Sequence, residues 1–276
     1  MVGQKLSAQV MEVKVDAERK GDVVSTLMIS DIHIDNPHCD RKLLAQHLNE
    51  AKAKNAKVFI FGDLFCAMQG KYDPRGSKAG IRPEHNVSNY LDALVDTTFD
   101  FLKPWADLIM FISPGNHETS ILKRHETNLT ERLAQLLKCN TGTYAGWLLM
   151  KFEHSPKHAH VVPIAYHHGY GGGGPVTKDI IQASRKAVYL PDARIVVSGH
   201  THDRWVFPIY RERINAASGQ IKQDEQLHLK LGSYKDEYSG GEGWAIERGM
   251  PPKAMGGVWV DYQIKNNTIN IKAHLT

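Results

Sequence analysis

Five short stretches of the chain combine aspartate, asparagine and histidine at spacings that suit metal ligation: Asp31-Ile32-His33, Gly62-Asp63, Gly115-Asn116-His117-Glu118, His167-His168-Gly169 and Gly199-His200-Thr201-His202. Singly, each is ordinary turn chemistry, because Gly-Asp and Gly-Asn are common turn dipeptides. Together they are not, since a turn needs no histidine and a buried polar network needs no second carboxylate exposed at a strand end. Histidine is also abundant, at 15 residues, and imidazole is the commonest side-chain metal ligand. The set points to a metal centre built from nitrogen and oxygen donors without a thiolate, a composition that suits Mn2+, Fe, Zn2+ or Ni2+.

These stretches sit where strands are expected to end. Val23–Ser30, Val58–Phe61, Leu108–Ser113 and Ile195–Ser198 are continuous apolar runs that fit strands buried on both faces. Helical periodicity appears over 40–54, with Leu43, Leu44, Leu48 and Ala51 on one face, and over 126–138, with Leu129, Leu133, Leu136 and Leu137. Further strands are expected at 147–152, 159–166, 205–211, 227–231, 257–264 and 268–274, with one helix at about 177–188. The alternation gives an α/β architecture, and the later run of strands gives two packed sheets with helices outside. In open α/β sheets the ligand site lies beyond the carboxyl ends of the strands, so all five stretches should converge.

At 276 residues the chain is long enough for a core without disulfides, and we expect one domain over 1–276. Cys39, Cys66 and Cys139 show no paired spacing and read as buried thiols. No apolar run reaches the roughly 18–20 residues of a membrane helix, so a cytoplasmic location without membrane contact is expected. The net charge of +4 permits an anionic substrate without demanding one. Two stretches read as loops, 66–86 and 232–257. The first carries Lys71, Arg75, Lys78 and Arg82 just after Asp63 and is expected to hold substrate. Gly169–Gly174 formally satisfies G-x-G-x-x-G, but a dinucleotide site gives the metal set no role. The minimum motifs of P-loop nucleotidases and serine hydrolases are absent.

The order Asp-x-His, Gly-Asp, Gly-Asn-His-Glu, His, Gly-His-Thr-His resembles that of the calcineurin-like metallophosphoesterases, with all five family motifs present across 31–202. The resemblance implies a four-layer αββα sandwich of two mixed sheets and a dinuclear site for two divalent transition metal ions, Mn2+ first among those above. Carried across, one ion takes Asp31, His33 and His202, the other Asn116, His168 and His200, and Asp63 bridges both. The fourth motif offers two histidines. His168 is chosen because the family ligand precedes a glycine-rich turn, and His167 is left to support it. His117 takes the role of general acid toward the leaving oxygen. Two such ions, about 3.5–4 Å apart, activate water and neutralise charge in phosphoryl transfer.

Branch-specific residues narrow the expectation. Leu64-Phe65-Cys66-Ala67 replaces the Asp-Arg-Gly of serine/threonine phosphatases, and Cys66 stands where purple acid phosphatases carry a tyrosine ligand. Gly62-Asp63-Leu64-Phe65 is similar to the repair-exonuclease branch, and the whole pattern is similar to small phosphoesterases of phage and bacterial genomes. The expected activity is therefore phosphodiester hydrolysis, with nucleic acid as a candidate substrate. The alternative is a broad-specificity phosphomonoesterase. A non-catalytic descendant should have lost ligands, and none is missing.

Overall fold

The computed structural model describes residues 1–16, 21–69, 80–155, 158–239, 244–265 and 268–276. In chain order the elements are β1 (Val2–Lys5), β2 (Val10–Asp16), β3 (Val23–Ile29), α1 (Arg41–Ala53), β4 (Lys57–Phe61), α2 (Tyr90–Leu102), β5 (Ile109–Ser113), α3 (Asn116–His125), α4 (Leu129–Leu137) and β6 (Asn140–Thr141). They continue with β7 (Ala145–Ser155), β8 (His158–His167), α5 (Ile180–Tyr189), β9 (Ile195–Ser198), β10 (Trp205–Ile214), β11 (Ile221–Lys230), the one-turn α6 (Trp244–Glu247), β12 (Val258–Lys265) and β13 (Thr268–Leu275).

The strands form two mixed sheets, ordered β1-β2-β7-β8-β9-β11-β10 and β13-β12-β3-β4-β5-β6. Strand β4 shows why both faces are apolar. Phe59 and Phe61 join Phe111, Phe152, Ile164 and Val197 between the sheets, while Val58 and Ile60 join Leu44, Leu48, Leu94 and Leu133 under α1, α2 and α4. A smaller cluster of Ala165, Ala193 and Val196, with Leu190, lies on the outer face of the other sheet. The layers are therefore helices, sheet, sheet and helix, the αββα sandwich expected.

Helices α1 and α4 start at side-chain caps the sequence supplies. The Asp40 side chain accepts the amides of Lys42 and Leu43 at 3.1 and 2.9 Å, and Asn128 accepts that of Glu131 at 3.1 Å, satisfying donors the first turn leaves unpaired.

Several expectations need correction. The periodic stretch 126–138 is helical only from Leu129, because Glu126 adopts a left-handed conformation (φ 53°) that ends α3. Leu136 points outward at 44% exposure instead of joining the core. Helix α5 begins at Ile180, after Lys178 and Asp179 in left-handed conformation, so its first turn lies well past the glycine run. Helix α2 and the antiparallel pair β1–β2 were not anticipated, and β10 and β11 extend into a ten-residue-long hairpin pair. Among the described residues no helix is long and apolar enough to cross a membrane.

Candidate metal centre

Five ligand candidates sit on backbone that non-glycine residues rarely adopt: Asp31 (φ 50°), His33 (49°), Asp63 (48°), His200 (75°) and His202 (58°). Such positions each cost of order 1–3 kcal/mol and persist only where the surroundings fix them. Here the strand-end loops hold one another. The amides of Asp31, His33 and Ile34 donate to the carbonyls of Gly62, Asp63 and Leu64 at 3.0, 3.0 and 2.9 Å, and Gly199 donates to His168 O at 2.7 Å. Glycine is required beside them for space. A Cβ at Gly115 would overlap the Asp63 carboxylate, and one at Gly199 the Asp31 carboxylate.

The side chains converge in two groups. One ligand atom each from Asp31, His33 and His202 lies within 4.8 Å of the others, and the same holds for Asp63, His168 and His200. Asn116 joins the second group, its Oδ1 lying 3.1 Å from His168 Nε2 and 2.8 Å from His200 Nδ1. Asp63 Oδ2 is 3.2 Å from His168 Nε2, and its Oδ1 accepts the His117 amide at 3.0 Å. His168 faces the cluster and is fully buried. His167 turns away, accepting the Gly169 amide on Nδ1 at 2.9 Å and lying edge-on to Tyr144 and Tyr170.

The donor set fits cations. His168 Nδ1 lies 2.9 Å from Phe61 O; a carbonyl only accepts, so this nitrogen carries a proton and Nε2 is the atom turned toward Asp63 and Asn116, the one a cation would take in place of a proton. His33 Nε2 and His202 Nε2 face each other at 3.3 Å. Asp31 Oδ1 and His33 Nδ1 are buried without a hydrogen-bond partner. The charge balance agrees. Burial lowers His168, yet the carboxylates of Asp63 and Asp31 outweigh it and raise the group to about 10. Burial likewise lowers His202, but Asp31 and Glu237 lift it to about 9. Asp31 is raised by burial and pulled down further, to about 2, by His168 and His202. The paired carboxylates thus demand positive charge, which divalent ions would supply.

His117 differs from these residues. Its Nδ1 donates to Cys66 O at 2.5 Å, which leaves Nε2 free, 3.8 Å from Asp63 Oδ2. Its side chain keeps 13% exposure, so it borders the mouth of the cluster.

Three supporting carboxylates went unassigned in the sequence. Glu118 accepts the amides of Asp63, Phe65 and Gly115 at 3.1, 2.9 and 2.7 Å. Asp35 accepts those of Cys66 and Ala67 at 2.5 and 2.9 Å. Glu237 lies 3.6 Å from His202 Nδ1 and pairs with Lys235 at 2.7 Å. Glu118 was visible as the last residue of Gly-Asn-His-Glu, and Asp35 only as an acid two residues past His33. Glu237 lies in a glycine-rich loop with no local signal.

The basic loop fares differently. Lys71, Arg75 and Lys78 lie outside the described residues. Arg82 donates to the carbonyls of Asn36, Cys39 and Pro37 at 3.0, 3.2 and 3.4 Å. Its guanidinium therefore braces the segment after β3.

The family model described as Calcineurin-like phosphoesterase matches residues 24–204. No curated protein matches the chain. Among solved structures it is similar to zinc-complexed Vps29 from Entamoeba histolytica (12% identity, 91% of this chain and 99% of that one, TM-score 0.38). It is also similar to vacuolar protein sorting 29 from Cryptosporidium parvum (17%, 94% and 99%, TM-score 0.36). A third is a protein provisionally assigned as a 5′-nucleotidase from Staphylococcus aureus (12%, 92% and 54%, TM-score 0.48). The sequence match covers all five motifs and most of the chain, and on that ground the protein belongs to the calcineurin-like phosphoesterase family.

Proposed function

We propose that the protein is a dinuclear metal-dependent phosphodiesterase, with Mn2+ as the working ion and nucleic acid as the polymeric substrate to be tested. The observation that carries this reading is the pair of ligand groups, Asp31/His33/His202 and Asp63/His168/His200, on adjoining strand ends. Asn116 would complete the second group, and Asp63 is the carboxylate that would be shared between the two ions. When bound, a pair of divalent ions supplies Lewis-acid activation of water and neutralises phosphoryl charge.

The chain's own groups do the rest. Asp31, His33, Asp63, His200 and His202 are pre-set by their backbone and need little reorganisation. His117, tethered through Nδ1 to the Cys66 carbonyl, holds Nε2 3.8 Å from Asp63 Oδ2 at the edge of the cluster, where as imidazolium it would give its proton to the departing oxygen.

A diester is favoured over a monoester by local charge. Among the described residues, the strongest charged neighbours of Asp31, His33 and Asp63 are histidines and aspartates. A singly charged diester asks for less cationic support than a doubly charged monoester. The test is chelation, reconstitution with Mn2+, and comparison of kcat/KM on bis(nitrophenyl) phosphate, nitrophenyl phosphate and single- and double-stranded DNA. Higher kcat/KM on the diester supports the reading, and DNA cleavage extends it to a nuclease. Preference for the monoester assigns a phosphatase instead, and no hydrolysis with any ion removes the enzymatic reading.

A further inference from the structure

Cys66 stands three residues after Asp63 and belongs to a third group of ligand atoms: one atom each from His33, Cys66 and His117 lies within 4.8 Å of the others. The thiol is 3% exposed. Its recorded partners are weak for sulfur chemistry, Asn36 Nδ2 at 3.4 Å and Met68 Sδ at 3.3 Å. The two imidazoles meet edge to face with centroids 5.0 Å apart. Among the described residues His33 Nδ1 is buried without a hydrogen-bond partner, and His117 keeps Nδ1 on Cys66 O with Nε2 3.8 Å from Asp63 Oδ2. Burial, then Asp35, pushes the thiol up to about 12, so it is neutral and inert until a cation displaces its proton.

We propose that Cys66, His33 and His117 form an alternative site for one soft divalent cation, Zn2+ or Cd2+, whose occupation silences the working centre. The inference rests on the reading of His33 as a ligand of that centre and of His117 as the proton donor.

One thiolate and two imidazoles select Zn2+ or Cd2+ over Mn2+, because the soft sulfur donor discriminates among ions that nitrogen and oxygen donors accept alike. A tetrahedral zinc with bonds of about 2.0–2.3 Å needs ligand atoms roughly 3.5 Å apart, so the three groups need close by no more than about 1.3 Å, with water as fourth ligand. The balance is simple. The cation replaces the thiol proton, which leaves to solvent, and no electrons move. The consequence is mutual exclusion. A neutral imidazole offers one lone pair, so an ion held by Cys66 takes His33 from Asp31 and His202. The same ion takes the lone pair of His117, which can then no longer form the imidazolium that would donate the proton.

The experiment uses the full chain, stripped of metal and titrated with Co2+ alone. The wild type should show sulfur-to-cobalt charge-transfer absorption in the near ultraviolet that Cys66→Ser and Cys66→Ala lose and that Cys39→Ser and Cys139→Ser keep. In a second arm, Cd2+ is added to the Mn2+-loaded enzyme and each variant is compared with its own Mn2+ rate. Half-inhibition of Cys66→Ser should need roughly 10- to 100-fold more Cd2+, the loss expected when support for a bound ion is removed. Circular dichroism confirms that the variants are folded. Bound cobalt without a thiolate band, or equal Cd2+ sensitivity in the wild type and Cys66→Ser, overturns the proposal. In that case two Mn2+ ions per chain by elemental analysis would leave the working centre standing. Failure to bind any ion overturns both.

Discussion

Glu118 accepts the backbone amide of Asp63 at 3.1 Å from the first turn of α3, with Phe65 and Gly115 donating to the same carboxylate. The residue proposed to bridge two ions is thus fixed through its main chain by a side chain two positions past Asn116. Burial and the neighbouring Asp63 push Glu118 up, and the amides of Phe65 and Gly115 pull it down. Glu118→Gln brings an amide N–H where only acceptors are wanted. We expect it to cost about 1–3 kcal/mol, the usual penalty for a buried group left unsatisfied, and to weaken Mn2+ binding. Urea unfolding of apo protein and metal titration check the two parts separately.

His117→Ala should lower turnover by roughly 10² to 10⁴, the usual contribution of a positioned acid or base, while metal content stays near that of the wild type. Nitrophenolate leaves without much protonation, so the loss should be smaller for nitrophenyl esters than for alkyl or nucleoside esters. Steady-state rates on both, with elemental analysis, decide the matter. An equal loss on both substrates would make His117 an electrostatic or structural group.

Glu237 faces His202 Nδ1 at 3.6 Å and fixes which nitrogen turns toward Asp31. Partners of this kind typically change metal affinity 10- to 100-fold when removed. Glu237→Gln should weaken one ion by that amount and leave the fold intact, as read by metal titration and thermal melting.

Stability should fall in mild acid through His228. Burial, then Lys186 and Arg211, lowers this imidazole to about 4, and its Nε2 bonds Gln226 Oε1 at 2.9 Å. A histidine held neutral in the fold contributes fully above its unfolded pKa of about 6.5 and loses that contribution as the pH drops toward 4. The total is on the order of 3 kcal/mol, from about 1.4 kcal/mol per pKa unit. Between pH 7 and 4, apo wild type should therefore lose more stability than His228→Asn. Parallel urea midpoints for the two proteins would contradict it.

The strand ends were legible because both faces of β4, β5 and β9 are buried and their apolar runs stop abruptly at polar turns. The ligand set was legible for the same reason, as each motif follows a strand. Helix α2 was not, because it follows a long loop and its buried face of Leu94, Val95, Thr98 and Leu102 includes a threonine. The α3–α4 break was hidden because Glu126 takes a left-handed turn that glycine or asparagine would have advertised. Glu237 and Cys66 act across loops distant in sequence or by side-chain direction, neither of which spacing records. Arg82 looked free in sequence because its acceptors are backbone carbonyls, which carry no residue signature.

The central claim is that two metal ions share the cluster through Asp63. Elemental analysis of protein stripped with chelator and reconstituted with Mn2+ tests it most directly, run beside Asp63→Asn with its activity. The account predicts two ions per chain in the wild type, and lower occupancy with loss of hydrolysis in Asp63→Asn. A wild type that never exceeds one ion, with Asp63→Asn as active as the wild type, would contradict it.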